Sequence, residues 1–137
     1  MAKITFGSEE WVKALDNELN TSQAYEDAAK TWEGDFYFVV DPEGAVTEPM
    51  YLYMDLWHGR CRESFVVADK STKNPAFVMS GKYSKWKLVV QAKLDPIQAL
   101  MTGQLKLKGN MVMVMKNVKA AQEIVRACTR IETEFAM

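Results

Sequence analysis

Residues Asp95–Met115 read DPIQALMTGQLKLKGNMVMVM. Asp95 can accept the first free N–H groups of a helix, Pro96 suits the first helical position, and Gln98 stands three residues past the cap. Ile97, Leu100 and Met101 then share one side, and Gly103 suits a left-handed C-terminal cap. Gln104, Lys106 and Lys108 alternate with Leu105 and Leu107, the pattern of a half-exposed strand. Gly109 ends it and Asn110 can cap the next helix. Met111, Met113 and Met115 alternate with Val112 and Val114, which period alone would also allow as strand. The Gly-Asn punctuation and the helical pattern beyond it favour helix. The stretch thus predicts helix, strand, helix, with a strand that needs a sheet to join.

Downstream, Val118, Ala121, Ile124, Val125, Cys128 and Ile131 recur at helical spacing, and this last helix is expected to end near Thr133. Upstream, Tyr83, Trp86, Val89 and Val90 share a face of another helix, for which Ser84 is the candidate cap. Before it, Pro75 opens a short strand over Ala76–Ser80, with Phe77 and Met79 on one face. At the N-terminus Ser8 caps a helix carrying Trp11, Val12, Leu15 and Leu19, and Thr21 or Ser22 begins a second with Tyr25, Ala28, Ala29 and Trp32 inside.

Between these ends lie the clearest strands. Phe36, Phe38 and Val40 alternate with Tyr37 and Val39, and Asp41-Pro42-Glu43-Gly44 reads as a turn. From Val46 the alternation resumes, with Met50, Leu52, Met54 and Leu56 on one face and Tyr51, Tyr53, Asp55 and Trp57 on the other. His58-Gly59 reads as a two-residue hairpin turn. It would set Leu56 against Cys61, Asp55 against Arg62, Leu52 against Phe65 and Met50 against Val67, with Trp57 near Arg60 as a cation–π candidate. Glu63 breaks this register by landing on the apolar face opposite Met54. Either it reaches water at an edge of the core, or a bulge shifts it, or it stays buried as a carboxylate that contacts a ligand.

The element order, two helices, four strands, two helices, a strand and a helix, is that of an α+β fold. It predicts a five-stranded, mostly antiparallel sheet with helices over one face, in a single domain spanning residues 1–137. No apolar run approaches a membrane span, the first residues carry no signal-peptide core, and Phe135-Ala136-Met137 matches no targeting tripeptide, so a cytoplasmic protein is expected.

The chemistry-bearing residues are few. His58 is the one histidine and sits in a turn, so nothing suggests a His-based triad. Cys61 and Cys128 are too few for a metal or redox motif and read as small buried hydrophobes. Gly103 and Gly109 make no phosphate loop. No pair of carboxylates is singled out by spacing. The expectation is a non-enzyme without cofactor or metal and without a nucleic-acid partner.

Two features remain. Nine of the 137 residues are methionine, and four of them, Met101, Met111, Met113 and Met115, lie in the opening stretch. Unbranched, polarizable side chains can line an adaptable cavity, or simply fill a packed core. Charge is also uneven: residues 1–80 carry 7 Lys/Arg against 14 Asp/Glu, whereas residues 81–119 carry 8 Lys against Asp95 alone. A basic block beside an apolar wall suits an anionic head group or an anionic membrane surface, or is merely a solvated face.

Trp86–Met115 resembles the C-terminal part of the sterol carrier protein type 2 domain. The matching residues are Trp86, Leu94-Asp95-Pro96, Ala99, Gly103, Leu105, Lys106, Leu107, Gly109, Asn110, Met111 and Met115, and the order of elements extends the resemblance over residues 8–131. Gln104 departs from the Lys more usual there, and the missing peroxisomal tripeptide suggests a stand-alone, prokaryotic-type member. The resemblance implies an apolar tunnel between sheet and helices that binds fatty acid, fatty acyl-CoA, sterol or phospholipid without chemistry. The expected lining is Phe77, Met79, Trp86, Leu100, Met101, Leu105, Met111, Val112, Met113 and Met115. Lys82, Lys85, Lys106 and Lys108 are candidates to meet a head group at the mouth. The main alternative is a homodimerising or substrate-presenting domain that uses the aromatic sheet face of Tyr51, Tyr53 and Trp57; an enzyme acting on a bound lipid is a third.

Overall fold

Alternation along the strands decides which face of the sheet becomes the core. In the computed structural model, which describes residues 3–137, five strands form one sheet: β2 (Glu33–Asp41), β3 (Met50–Trp57), β4 (Arg60–Val67), β5 (Phe77–Lys82) and β6 (Lys106–Lys108). Their spatial order is β4-β3-β2-β5-β6. Three pairings are antiparallel, and β2 pairs with β5 in parallel at the centre. That parallel pair needs a crossover, which the β3–β4 hairpin and the loop after it provide.

Six helices complete the fold: α1 (Glu9–Asn20), α2 (Gln23–Ala28), α3 (Tyr83–Val90), α4 (Pro96–Met101), α5 (Met111–Met115) and α6 (Val118–Thr129). Their caps are largely those the sequence predicts. Ser8, Ser22, Asp95 and Asn110 each accept a backbone N–H of the first turn through their side chains. Ser84 is the exception: the cap position of α3 falls on Lys82, and the Ser84 N–H donates instead to the Glu43 carboxylate at 2.7 Å. α6 stops at Thr129, because the chain turns at Arg130 to form a strand, β7 (Thr133–Glu134). β7 pairs in parallel with β1 (Ile4–Thr5) in a separate two-stranded ribbon that joins the two ends of the chain. Nothing in the local sequence announces this pair.

The hairpin begins in the predicted register, with Trp57 against Arg60 and Leu56 against Cys61. His58 and Gly59 both have positive φ, as a tight turn of this kind requires. A bulge between Met54 and Leu56 then shifts the pairing, so Tyr53 faces Phe65, Leu52 faces Val66 and Tyr51 faces Val67. This corrects the Leu52–Phe65 and Met50–Val67 pairs. The physical reason is Glu63: the bulge turns it to solvent beside Lys73 at 3.6 Å and places the small Ser64 in the core side instead. Asp55 still holds Arg62, through two bonds of 3.1 and 3.2 Å, and it is Arg62, not Arg60, that lies over the Trp57 ring at 4.4 Å. The earlier turn also moves: Glu43 and Val46 exchange backbone bonds around Gly44, so it closes two residues later than Asp41-Pro42 implied.

The inner face of the sheet, with Phe36, Leu52, Met54, Leu56, Phe77 and Met79, meets the helices in the main core. Gly81 allows β5 to approach the segment after α4, since a Cβ there would stand 2.4 Å from Leu105 Cδ2. The outer face carries no helix. Tyr37, Val39, Tyr53 and Val67 form their own small cluster there. The Tyr37 hydroxyl both accepts from the Lys73 N–H and donates to the Lys73 carbonyl, which ties the loop after β4 over this face.

Candidate ligand-binding cavity

A cavity of about 110 Å³ lies between the inner sheet face and the helices. Its floor is Phe36, Phe38 and Val40 of β2, Leu52, Met54 and Leu56 of β3, and Met79 of β5. These positions follow from the period of two, which sends alternate side chains to the same face. Its roof is mainly α6, through Ala120, Ala121, Ile124, Val125 and Cys128. The walls come from Trp11, Val12 and Leu15 of α1, Tyr25 of α2, Trp86, Val89 and Val90 of α3, Pro96 and Ile97 of α4, and Val114 of α5. Phe6 closes one side.

The polar atoms of this lining are mostly turned elsewhere. Trp86 Nε1 donates to the Val39 carbonyl at 2.8 Å, Trp32 Nε1 to the Gly34 carbonyl at 3.0 Å, and Trp11 Nε1 to Thr133 Oγ1 at 2.9 Å. Each indole therefore shows the cavity its carbon ring and spends its N–H on the frame. Asn117, at the α5–α6 junction, uses its amide to bond the Met113 carbonyl at 2.7 Å. Burial raises the Tyr25 phenol far above its ordinary value, with the Cys61 thiol adding to the effect, so it stays neutral. No lysine, arginine or carboxylate lines the space. Phe38, Ala121, Ile124 and Val125 are only half-buried although they point inward, unlike the fully packed Val40 and Leu56. The space is apolar and uncharged, which suits hydrocarbon and nothing that must carry charge inside.

Of the ten residues expected to bind, Met79 and Trp86 line this cavity. Phe77 is buried in an aromatic stack with Phe36 and Trp32, and Leu105 is buried beneath Gly81. Leu100 is in the packed core, and Met113 and Met115 pack against that core from its margin. Met101, Met111 and Val112 face solvent. Most of the lining lies outside that set: α6, the inner faces of β2 and β3, and Val114, which sits between Met113 and Met115. The amphipathic spacing of α6 was a usable signal, since its apolar stripe is wider than one neighbouring helix could cover.

The candidate head-group lysines separate into two sets. Lys82 and Lys85 lie near the Glu43 carboxylate, whose acidity is strengthened first by the Ser84 N–H and hydroxyl and further by these two charges. Lys106 and Lys108 are exposed on the edge strand β6. Elsewhere chemistry-bearing groups are tied into the frame. The Asp16 carboxylate accepts from Ser64 Oγ at 2.6 Å and from the Asn20 amide at 2.7 Å, and Lys13 bonds the Ser64 carbonyl. His58 Nε2 is 2.6 Å from Glu33 on the surface. Among the described residues no cluster of three His, Cys, Asp or Glu could hold a metal ion, and no helix is long and apolar enough to cross a membrane.

Comparisons with known proteins agree with this fold. The sequence pattern of the SCP-2 sterol transfer family matches residues 8–122. A crystal structure of sterol carrier protein 2 is 32% identical, with a TM-score of 0.82, and the alignment covers 92% of this chain and 98% of that one. The solution structure of a conserved hypothetical protein from Thermus thermophilus is 31% identical, with a TM-score of 0.87 over 98% of this chain and 94% of that one. The sterol carrier protein domain 2 of Helicoverpa armigera, at 18% identity, shares the fold with a TM-score of 0.61 over 98% of this chain and 100% of that one. No curated protein sequence matches the chain.

Proposed function

Because the chain belongs to the SCP-2 sterol transfer family, we propose that it is a lipid carrier of the cytoplasm that holds one apolar chain in the cavity between sheet and helices. Lipid binding or transfer is the general activity of that family, whose members are generally carriers, although the fold also occurs as a part of larger enzymes such as a sec-alkyl sulfatase. The observation that supports the reading here is the lining itself: indole N–H groups bonded outward, carbon surfaces facing in, and no charge in the wall. Each CH₂ moved from water into such a space contributes about 0.8 kcal/mol before the costs of binding. The ligand classes proposed, fatty acid, fatty acyl-CoA, sterol or phospholipid, need no strong polar contact for their apolar part, the head group being left at the rim.

Extraction of the purified protein followed by mass spectrometry, together with displacement of a fluorescent fatty acid, tests this. A co-purified lipid and saturable displacement are expected. Absence of both refutes the carrier reading.

The alternative, dimerisation through the outer sheet face, has less to rest on. Tyr37 and Tyr53 are each only 4% exposed, and the Lys73 ammonium lies over the Tyr53 and Phe65 rings at 5.1 and 5.7 Å. The aromatic surface is thus largely satisfied within one chain.

A further inference from the structure

Most tyrosine hydroxyls in this chain have a partner or lie near water. Tyr37 exchanges hydrogen bonds with the Lys73 backbone, Tyr53 donates to the Asp35 carboxylate at 2.8 Å, and Tyr83 accepts the Ala136 N–H at 2.9 Å. Tyr51 is only half-buried on the outer sheet face. Tyr25 of α2 differs. It is 1% exposed, it lines the cavity, and its hydroxyl makes no hydrogen bond among the described residues.

Where that hydroxyl points follows from its surroundings. Among the described residues every sealed side-chain nitrogen or oxygen has a hydrogen-bond partner. An unbonded hydroxyl is therefore not sealed, and the space beside Tyr25 is the cavity it lines. Leaving a buried donor unbonded is costly. Water is a poor answer, because a bound water needs two or more polar partners. The wall otherwise presents carbon, apart from Asn117, whose amide bonds the Met113 carbonyl. Burial above all, and then the Cys61 thiol, hold the phenol neutral, and Cys61 pairs with Leu56, where the floor begins. From Gly34, opposite Leu56, to Val40 that floor runs about 20 Å along β2 at roughly 3.3 Å per residue. Trp86, bonded to Val39, stands at the far end. A lipid chain lying along the floor thus has one tip at the Tyr25 end.

We propose that Tyr25 is a specificity residue whose hydroxyl hydrogen-bonds an uncharged oxygen, a hydroxyl or a carbonyl, at the buried end of the bound lipid. The proposal rests on the carrier reading and narrows its ligand. A neutral phenol both donates and accepts, so it serves the hydroxyl of a sterol or long-chain alcohol and the carbonyl of an aldehyde or ketone. It does not serve a carboxylate or a phosphate, since no lysine or arginine lines the space to offset a buried charge. Charged head groups therefore stay at the rim, and a lipid whose one polar atom is an uncharged oxygen enters with that atom first.

Displacement of cis-parinaric acid from the whole chain, by dodecan-1-ol and by dodecane, tests the contact. Tyr25→Phe removes the hydroxyl and keeps the ring. It should weaken binding of dodecan-1-ol by about fivefold and leave that of dodecane unchanged. Without ligand, the Tyr25→Phe variant should melt at or above the wild-type temperature, because the lost hydroxyl has no partner in the protein. Equal changes for alcohol and alkane, no change for the alcohol, or a lower melting temperature each overturn the proposal. The wild type keeps the two readings apart. If it takes up cis-parinaric acid saturably while Tyr25→Phe fails to discriminate alcohol from alkane, the hydroxyl contact is refuted and the carrier stands. If the wild type takes up none of the three probes, the carrier reading falls and this proposal with it.

Discussion

The indole Nε1 of Trp86 donates a 2.8 Å hydrogen bond to the carbonyl oxygen of Val39, joining α3 to the central strand across the cavity wall. Trp86 also sets its ring edge-on to Phe38, with centroids 5.9 Å apart. One residue therefore fixes a helix to the sheet and supplies apolar lining. Trp86→Phe keeps an aromatic ring but leaves the buried Val39 carbonyl without this donor. A loss of about 1–3 kcal/mol is expected, and chemical denaturation measures it.

The lining distinguishes two kinds of tryptophan insertion. Ala121 of α6 faces the cavity, so Ala121→Trp should fill it and weaken fatty-acid binding by about tenfold or more with little change in melting temperature. Leu100 lies outside the cavity in packed core. Leu100→Trp should instead overpack that region and cost about 1–3 kcal/mol of stability while binding persists. Fluorescent fatty-acid titration beside thermal melts separates the two effects.

Both thiols resist ionisation. Burial is the main cause for each, with Asp16 adding to it at Cys61, and it pushes both up to about 12 from 9.0. The unfolded thiols ionise first as pH rises, so the stability tied to the neutral native thiols is complete below about pH 9 and is lost between about 9 and 12. Each thiol contributes a slope of about 1.4 kcal/mol per pH unit in that window. Urea denaturation from pH 8 to 10 should show the decline (about one unit either side of the unfolded value), and Cys61→Ala with Cys128→Ala should flatten it.

The hairpin turn carries a close backbone contact. At Gly59, φ is +80°, and an added Cβ would lie 2.7 Å from the Glu26 carbonyl oxygen at α2. Gly59→Ala meets both backbone strain and a clash that only movement of α2 relieves. The expected loss exceeds about 1 kcal/mol. Hydrogen exchange should show the weakening first in α2 and the β3–β4 turn.

The local chemistry of the chain is legible residue by residue. Ser8, Ser22, Asp95 and Asn110 cap their helices because each side chain bonds an N–H only two or three residues away. His58-Gly59 turns the hairpin because two adjacent residues accept positive φ, and the inner faces of β2 and β3 follow from a period of two. The tertiary structure decided everything that depends on distant partners. The parallel β2–β5 pairing, the β1–β7 ribbon and the bulge at Met54–Leu56 each join residues whose preference for one another is not written in either segment. The same holds for the cavity. The five residues of α5 are all apolar, so their composition cannot say which one faces in; the rotation of the helix against α6 and the sheet turns Val114 inward and leaves Met111 and Val112 in water. Nearest-neighbour hydrogen bonding is encoded within a few residues, whereas the choice between a filled core and a hollow one is made by how whole helices pack.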